Sequence, residues 1–321
     1  MQKILIIQTA FLGDVILATP VISELKRLFP NSKIDFLVRK GNEGLLANNP
    51  NCDNIYIFDK KNGKYKNILN LIKSFRNEKY ELIINLHRFG SSGIITALSG
   101  AKLKYGFKKN PFSFLYNKKF EHSLEKSQHE VERNLSIIAE FGAVSIKRPE
   151  IFPSIENFEK VKQYKSTTYF CMAPASVWFT KQLPKEKWIE LVKHYSKSGT
   201  VFMLGGKEDF NLCQNILENS NEFGKCINLA GELNLLESAA LIKDAKRTFV
   251  NDSGPLHLSS AMNAPVTAFF CSTTPSFGFG PLSDDSEILE VKDLECKPCG
   301  LHGHKACPKG HFKCGYEINT H

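Results

Sequence analysis

Phe249-Val250-Asn251-Asp252-Ser253-Gly254-Pro255-Leu256-His257 is the stretch on which the reading of this chain turns. Just ahead of it, Arg247-Thr248-Phe249-Val250 has the make-up of a short buried strand. Behind it, Leu256 to Met262 predicts a helix, with Pro255 at a first helical position, where its missing N–H costs nothing. Asp252 and Ser253 suit the positions before a helix start, and Gly254 lets a ligand approach the backbone closely. Ala264 to Phe270 predicts the next buried strand, so the turn sits inside a β-α-β unit. A turn of this kind aims main-chain N–H groups and the positive end of a helix dipole at one point, which suits a phosphate or pyrophosphate. His257, in the first turn, adds a donor. The same residues also make an ordinary strand-to-helix turn.

The pattern extends in both directions. Thr168 to Met172 predicts a strand, followed by the loop Ala173-Pro174-Ala175-Ser176-Val177-Trp178-Phe179-Thr180-Lys181-Gln182-Leu183-Pro184, with Pro184 setting the start of a helix that carries Trp188, Leu191 and Val192. Thr200 to Leu204 is a strand with a turn, Gly205 to Asp209, at its carboxyl end, and Leu235 to Lys243 is helical. In the first half, Ile4 to Gln8 reads as a central parallel strand, a loop runs from Thr9 to Asp14, and a helix runs from Val15 to Phe29. Ile34 to Val38, Ile55 to Phe58 and Tyr80 to Leu86 are further strands, with helices over Ile68 to Phe75 and Ser91 to Leu98. His87 and Arg88 follow the last of these strands. Alternating strands and helices imply parallel, doubly wound sheets. The dinucleotide fingerprint G-x-G-x-x-G is absent after the first strand, which weakens an NAD-type reading.

Residues 102 to 133 are expected to be the most basic surface, with a solvated irregular segment as the alternative. Lys102, Lys104, Lys108, Lys109, Lys118, Lys119 and Lys126 alternate there with Tyr105, Phe107, Phe112, Phe114 and Tyr116. Such interleaving serves an anionic lipid surface or nucleic acid, or the aromatics pack inward beneath solvated lysines. A helix is expected from His129 to about Phe141. Residues 148 to 165 lack clear periodicity and read as a linker, which divides the chain into domains at 1–160 and 161–321.

A chain of 321 residues is long enough for two domains, and its net charge of +9 fits a phosphorylated substrate, an anionic membrane or nucleic acid without choosing among them. The opening apolar run is too short for a signal peptide, and no stretch approaches the roughly 18 apolar residues of a membrane span. The expected location is therefore the cytoplasm, and the nine cysteines are expected to be reduced thiols.

Chemistry collects at the predicted strand ends. Ser176, Lys181, Glu208 and the Asp252–His257 turn form a set suited to a nucleoside diphosphate: hydroxyl, charge and amides for the phosphates, and a carboxylate for a ribose. Asp14, at the end of the first strand, reads either as a general base or as a helix cap. His87 and Arg88 are candidate anion contacts.

The segment Gln8-Thr9-Ala10-Phe11-Leu12-Gly13-Asp14-Val15-Ile16-Leu17-Ala18-Thr19-Pro20 resembles the signature of the ADP-heptose:lipopolysaccharide heptosyltransferases. So does Asp252-Ser253-Gly254-Pro255-Leu256-His257, and Lys181 with Pro184 and Trp188 is similar to their donor loop. The resemblance implies an α/β chain of GT-B architecture, with two Rossmann-like domains facing a central cleft, acceptor in the first and sugar nucleotide in the second. It implies a metal-free, cofactor-free inverting transferase with Asp14 as general base. Donor contacts are implied from Gly13, Ser176, Lys181, Glu208 (or the adjacent Asp209), Asp252, Ser253, Gly254 and His257, and acceptor contacts from His87 and Arg88. The implied partners are an ADP-sugar donor and an anionic, Kdo-bearing lipid A core at the cytoplasmic face of the inner membrane. No nucleic-acid partner is implied, and a monomer is expected. Two rival readings remain at this point: another GT-B enzyme, with a different donor or an epimerase's reaction, and a non-enzymatic polyanion-binding module.

The tail carries Cys296, Cys299, Cys307 and Cys314, with His302, His304 and His311 among them, a spacing similar to that of zinc sites. Structural zinc, reduced thiols and a redox disulfide are all open readings of it.

Overall fold

The computed structural model describes residues 1–124, 127–144, 148–222 and 224–320, and these form two compact units, Met1–Phe152 and Pro153–His321. The first unit is a six-stranded parallel sheet of β1 (Lys3–Gln8), β2 (Lys33–Arg39), β3 (Asn54–Phe58), β4 (Leu82–Asn85), β5 (Leu103–Phe107) and β6 (Lys118–Phe120), in the order β3-β2-β1-β4-β5-β6. Its helices are α1 (Leu12–Leu28), α2 (Lys64–Glu78), α3 (Gly90–Leu98) and α4 (Glu130–Ser136). The unbroken apolar run Ile4–Ile7 is fully buried because β1 is covered on both faces. Helix α2 turns Ile68, Leu71, Ile72 and Phe75 inward, the spacing of one helical face, against Leu5, Ile7, Leu37 and Ile83 of the sheet.

Helix α1 begins at Leu12, three residues earlier than the sequence suggests, so Asp14 stands inside the first turn rather than in a loop. The helix also holds Pro20 in its interior. Proline offers no N–H to the carbonyl four residues back, which is that of Ile16. The Thr19 hydroxyl donates to that oxygen instead, at 2.8 Å. Asn134, on α4, reaches across to the Leu17 carbonyl at 3.2 Å, tying α4 onto α1.

The basic stretch, for which an irregular segment was one open reading, contributes β5 and β6 to the sheet. Tyr105, Phe107 and Tyr116 pack inward, whereas Phe114 is 69% exposed, so the aromatics divide between core and surface. Lys108 and Lys118 pair with Glu121 and Glu140. Lys126 lies outside the described residues. The helix expected to reach Phe141 ends at Ser136 and is followed by a 3-10 turn at Ala139–Phe141.

The second unit repeats the plan. Its elements are α5 (Ile155–Val161), β7 (Tyr169–Ala173), α6 (Lys185–Tyr195), β8 (Thr200–Met203), α7 (Phe210–Ser220), β9 (Cys226–Asn228), α8 (Leu235–Lys243), β10 (Arg247–Asn251), α9 (Gly254–Met262), β11 (Val266–Phe270), β12 (Ser286–Glu290) and α10 (Lys313–Tyr316). The strand order is β12-β11-β10-β7-β8-β9, again wholly parallel. The supposed linker holds α5, capped by Ser154 and Asn157 and packed on α8, where Lys160 pairs with Glu237 at 3.0 Å. That packing places the division at Phe152/Pro153 rather than at 160/161. Trp188 is buried against Phe269, and the tail residues Phe312, Cys314 and Ile318 belong to the same core.

Candidate active site

In each sheet the chain winds outward on one side of its first strand and then returns to the other side. Ligands of open α/β sheets collect where the winding reverses, beyond the carboxyl ends of the two central strands. In the first unit those strands are β1 and β4, which lead to Asp14 and to His87–Arg88. In the second they are β7 and β10, which lead to the Ser176–Lys181 loop and to Asp252–His257.

Asp14 is partly buried, and its Oδ2 accepts the Phe11 N–H at 3.2 Å across the first turn of α1. Burial and the nearby negative charge of Glu130 push its carboxyl up to about 6, with the Phe11 N–H and Arg88 opposing the rise. Lys60 comes close as well. Its ammonium donates to the Thr9 carbonyl at 2.5 Å, and burial with the charges of Arg39 and Lys64 draws it down to about 8, with Asp14 acting against that fall. Gly13 lies beside Asp14 in this unit, apart in sequence and in unit from the other donor candidates.

His87, expected to contact the acceptor, stands just past the end of β4. It is buried, with its Nδ1 3.0 Å from the Thr9 hydroxyl and 3.2 Å from that of Ser92. Burial, Lys60 and Arg88 pull it down to about 3, so it is a neutral hydrogen-bonding group. Arg88, partly exposed, supplies the charge.

Behind Arg88 stands a group that sequence reasoning passed over. Its Nη1 faces His122 Nδ1 at 3.5 Å; His122 Nε2 donates to both oxygens of Glu130 at 3.1 and 3.0 Å; and Arg133 Nε donates to the same carboxylate at 2.7 Å. His122, Glu130 and Arg133 are all buried. The signal in the sequence was the close spacing of a histidine, an acid and an arginine at the end of the basic stretch.

In the second unit the structure brings Lys181 and Asp252, two of the expected donor contacts, together at 2.7 Å. The Thr273 hydroxyl donates to the same Asp252 oxygen at 2.7 Å. Ser253 holds the N-cap position of α9 without capping it; its hydroxyl turns back to the Asn251 carbonyl at 3.4 Å. No side chain caps α9, Pro255 lies in its first turn, and an ammonium stands beside its positive end. His257 is buried within the helix.

Asn251, the last residue of β10, is the second residue that was missed. Fully buried, it accepts the Leu183 N–H at 2.9 Å and donates to the Pro174 carbonyl at 2.7 Å, so one amide holds both ends of the Ser176–Lys181 loop. An amide ending an otherwise apolar strand was the available clue. Ser176 is partly exposed on that loop. Glu208 is exposed on a 3-10 turn, while Asp209 accepts the Gly206 N–H at 2.9 Å and caps that turn. A hollow of about 230 Å³ lined by Lys207, Phe210, Ala230, Gly231 and Glu232 lies on the same turn.

The tail is stitched to this loop. Thr180 N–H donates to the His304 carbonyl at 3.1 Å, and the His304 N–H donates to the Thr180 hydroxyl at 2.7 Å. The Cys299 N–H donates to the Ser272 carbonyl at 2.9 Å, and Phe312 packs on Phe179 with ring centroids 5.3 Å apart. All nine cysteines are free, and among the described residues no group of three or more His, Cys, Asp or Glu side chains is arranged to hold a metal ion.

The chain is 28% identical over 282 residues to lipopolysaccharide heptosyltransferase 3 of Escherichia coli K12, covering 83% of this chain and 81% of that one. It is 26% identical over 318 residues to lipooligosaccharide heptosyltransferase 2 of Campylobacter jejuni, covering 98% and 93%. The structure of the Escherichia coli ADP-heptose lipopolysaccharide heptosyltransferase II has the same fold, with a TM-score of 0.81 at 22% identity over 92% of each chain. The α/β, GT-B fold expected from the sequence is the observed one. The profile of glycosyltransferase family 9 (heptosyltransferase) matches residues 68–309, most of the chain, and the chain belongs to that family.

Proposed function

We propose that this chain is an inverting heptosyltransferase that moves heptose from ADP-heptose to the inner core of lipopolysaccharide, with Asp14 as general base. One observation carries the reading: Asp14 stands at the winding reversal of the first sheet with its carboxyl raised to about 6, close to the pH at which a general base works best. In a single displacement the acceptor hydroxyl attacks the anomeric carbon and yields its proton to Asp14. The bond from that carbon to the diphosphate oxygen breaks, and ADP departs with the electron pair. The new bond forms on the opposite face, so the anomeric centre inverts.

The donor half of the reading draws on Lys181 and the uncapped start of α9, which meet where a diphosphate would gain charge. The diphosphate then shares Lys181 with Asp252. Ser176, Ser253, Gly254 and His257 complete that side, and Glu208 is the carboxylate for the ribose. Gly13 and Arg88 serve the Asp14 side. The exposed Phe114 and Leu115, flanked by the exposed Lys108, Lys109, Lys118 and Lys119, support a peripheral contact with an anionic inner leaflet. Among the described residues no helix is long and apolar enough to cross a membrane.

The test is a panel of ADP-heptose, ADP-glucose, GDP-mannose and UDP-N-acetylglucosamine scored by thermal shift, followed by transfer to O-deacylated inner cores truncated before each heptose. Selective stabilisation by ADP-heptose, with turnover only when acceptor is present, is the expected result. Turnover without acceptor identifies an epimerase, and no stabilisation by any sugar nucleotide leaves the polyanion-binding reading standing.

A further inference from the structure

Arg88, His122, Glu130 and Arg133 form a line of side chains running from the surface beside Asp14 into the interior of the first unit. Guanidinium groups only donate hydrogen bonds, and carboxylates only accept them. His122 meets one of each. Its Nδ1 faces an Arg88 N–H and so presents a lone pair, and its Nε2 faces Glu130 and so carries the proton. The tautomer is thereby fixed from both sides. Glu130 is in turn fixed by Arg133, whose Nη1 is anchored on the Gln128 and Ser123 carbonyls. The His122 ring is held edge-on to Phe107, with centroids 4.7 Å apart. A long, partly exposed arginine loses considerable side-chain freedom when it is held in one place, so a buried relay that ends on it has a positioning consequence.

We infer that His122 and Glu130 are positioning residues for the transfer reaction: Glu130 sets the His122 tautomer, and His122 Nδ1 holds Arg88 where its guanidinium meets an anionic group of the acceptor beside Asp14. The inference rests on the reading of Asp14 and Arg88 as the acceptor side. Neither His122 nor Glu130 touches the reacting atoms. The charged groups facing Asp14 are Arg88, Glu130 and Lys60. Of these, Arg88 favours the ionised carboxylate, so a displaced Arg88 raises the pH at which Asp14 becomes an active base.

The test compares His122→Phe with His122→Asn. Phenylalanine fills the space and removes the acceptor atom, whereas asparagine returns an oxygen near the position of Nδ1. With saturating ADP-heptose and an O-deacylated inner core as acceptor, His122→Phe is expected to raise the acceptor KM on the order of tenfold, the loss of one hydrogen bond to a charged group. The acidic limb of kcat moves to higher pH, and the ADP affinity by calorimetry stays unchanged. His122→Asn recovers most of the acceptor KM. Arg88→Gln gives the same acceptor KM and limb shift, and joined to His122→Leu, a second variant that lacks the acceptor atom, it costs no more than alone, so the idea stays testable if the phenylalanine variant fails to fold. A folded His122→Phe with unaltered acceptor KM and limb, or additive losses in the Arg88→Gln double variant, overturns the inference. Full turnover of Asp14→Asn sinks the general-base reading and leaves the acceptor KM comparison intact, so the two failures are told apart.

Discussion

Asp14 is held under conditions that favour its protonated form, yet a general base must be ionised. Its folded carboxyl, near 6, lies above the ordinary 3.8. The stability this group contributes is therefore fully present below about pH 4 and lost as the pH rises through about 6. Two effects of Asp14→Asn follow with opposite signs. Turnover falls by roughly 10²–10⁴-fold, with ADP binding unchanged, because the loss is confined to the chemical step. Stability near pH 7 rises, on the order of 1–3 kcal/mol, because an ionised, partly buried carboxylate becomes a neutral amide that still accepts the Phe11 N–H. Single-turnover kinetics and thermal unfolding of the same preparation check both; unchanged turnover returns Asp14 to a capping role. In the parent protein kcat should fall as the pH drops through about 6. The sequence placed this residue at a strand end and, through the resemblance, gave it a role. It did not reveal the charges that tune it, because Lys60, Arg88 and Glu130 are far from it along the chain and meet it only in the fold.

At the scale of elements, the Ser176–Lys181 loop, which carries Trp178 and Phe179, is held by distant partners. Lys181→Ala removes the charge beside α9 and leaves the buried Asp252 with Thr273 as its partner. Binding of ADP should weaken by about tenfold or more while adenosine binding changes little, since the lysine acts on phosphate. Calorimetric titration with both ligands decides it; equal losses would assign Lys181 to the fold. The tail acts on the same loop. Thr180→Val removes the hydroxyl that receives the His304 N–H and one from Ser272, at 2.7 and 3.0 Å, and should cost about 1–3 kcal/mol with a parallel loss of ADP affinity, read by urea unfolding and titration. Retained affinity would mean that the tail only covers the core. Most helices and central strands were legible, because their burial periods are strong. Helix α5 was not, because Val161 is its sole fully buried residue and no amphipathic period forms. Strand β6 was hidden by its exposed lysines, Lys118 and Lys119, and α7, β9 and β12 went unassigned, the last two because none of their residues is fully buried.

For the whole molecule, the proposed chemistry stabilises the leaving diphosphate with an ammonium and a helix start, so activity should survive excess EDTA. The assay is transfer from ADP-heptose after chelation, with elemental analysis of the treated protein. Loss of activity in a folded sample, restored by magnesium or manganese, would overturn the metal-free mechanism. The two-unit α/β plan was the most legible property of the sequence, because it is repeated in every strand–helix alternation. The position of the division was less so, since it depends on which surface α5 packs against.

Both sheets follow one winding order, reversing beside their first strand, and each reversal carries its own set of loops. On the proposed reading, donor and acceptor are thus met by separate short segments: the loops after β7, β8 and β10 in one unit, and those after β1 and β4 in the other. Neither set lends a strand to the other's sheet. On that reading, one sugar nucleotide can be exchanged for another with the acceptor kept, or the acceptor changed with the donor kept, by altering loop residues and leaving both scaffolds alone.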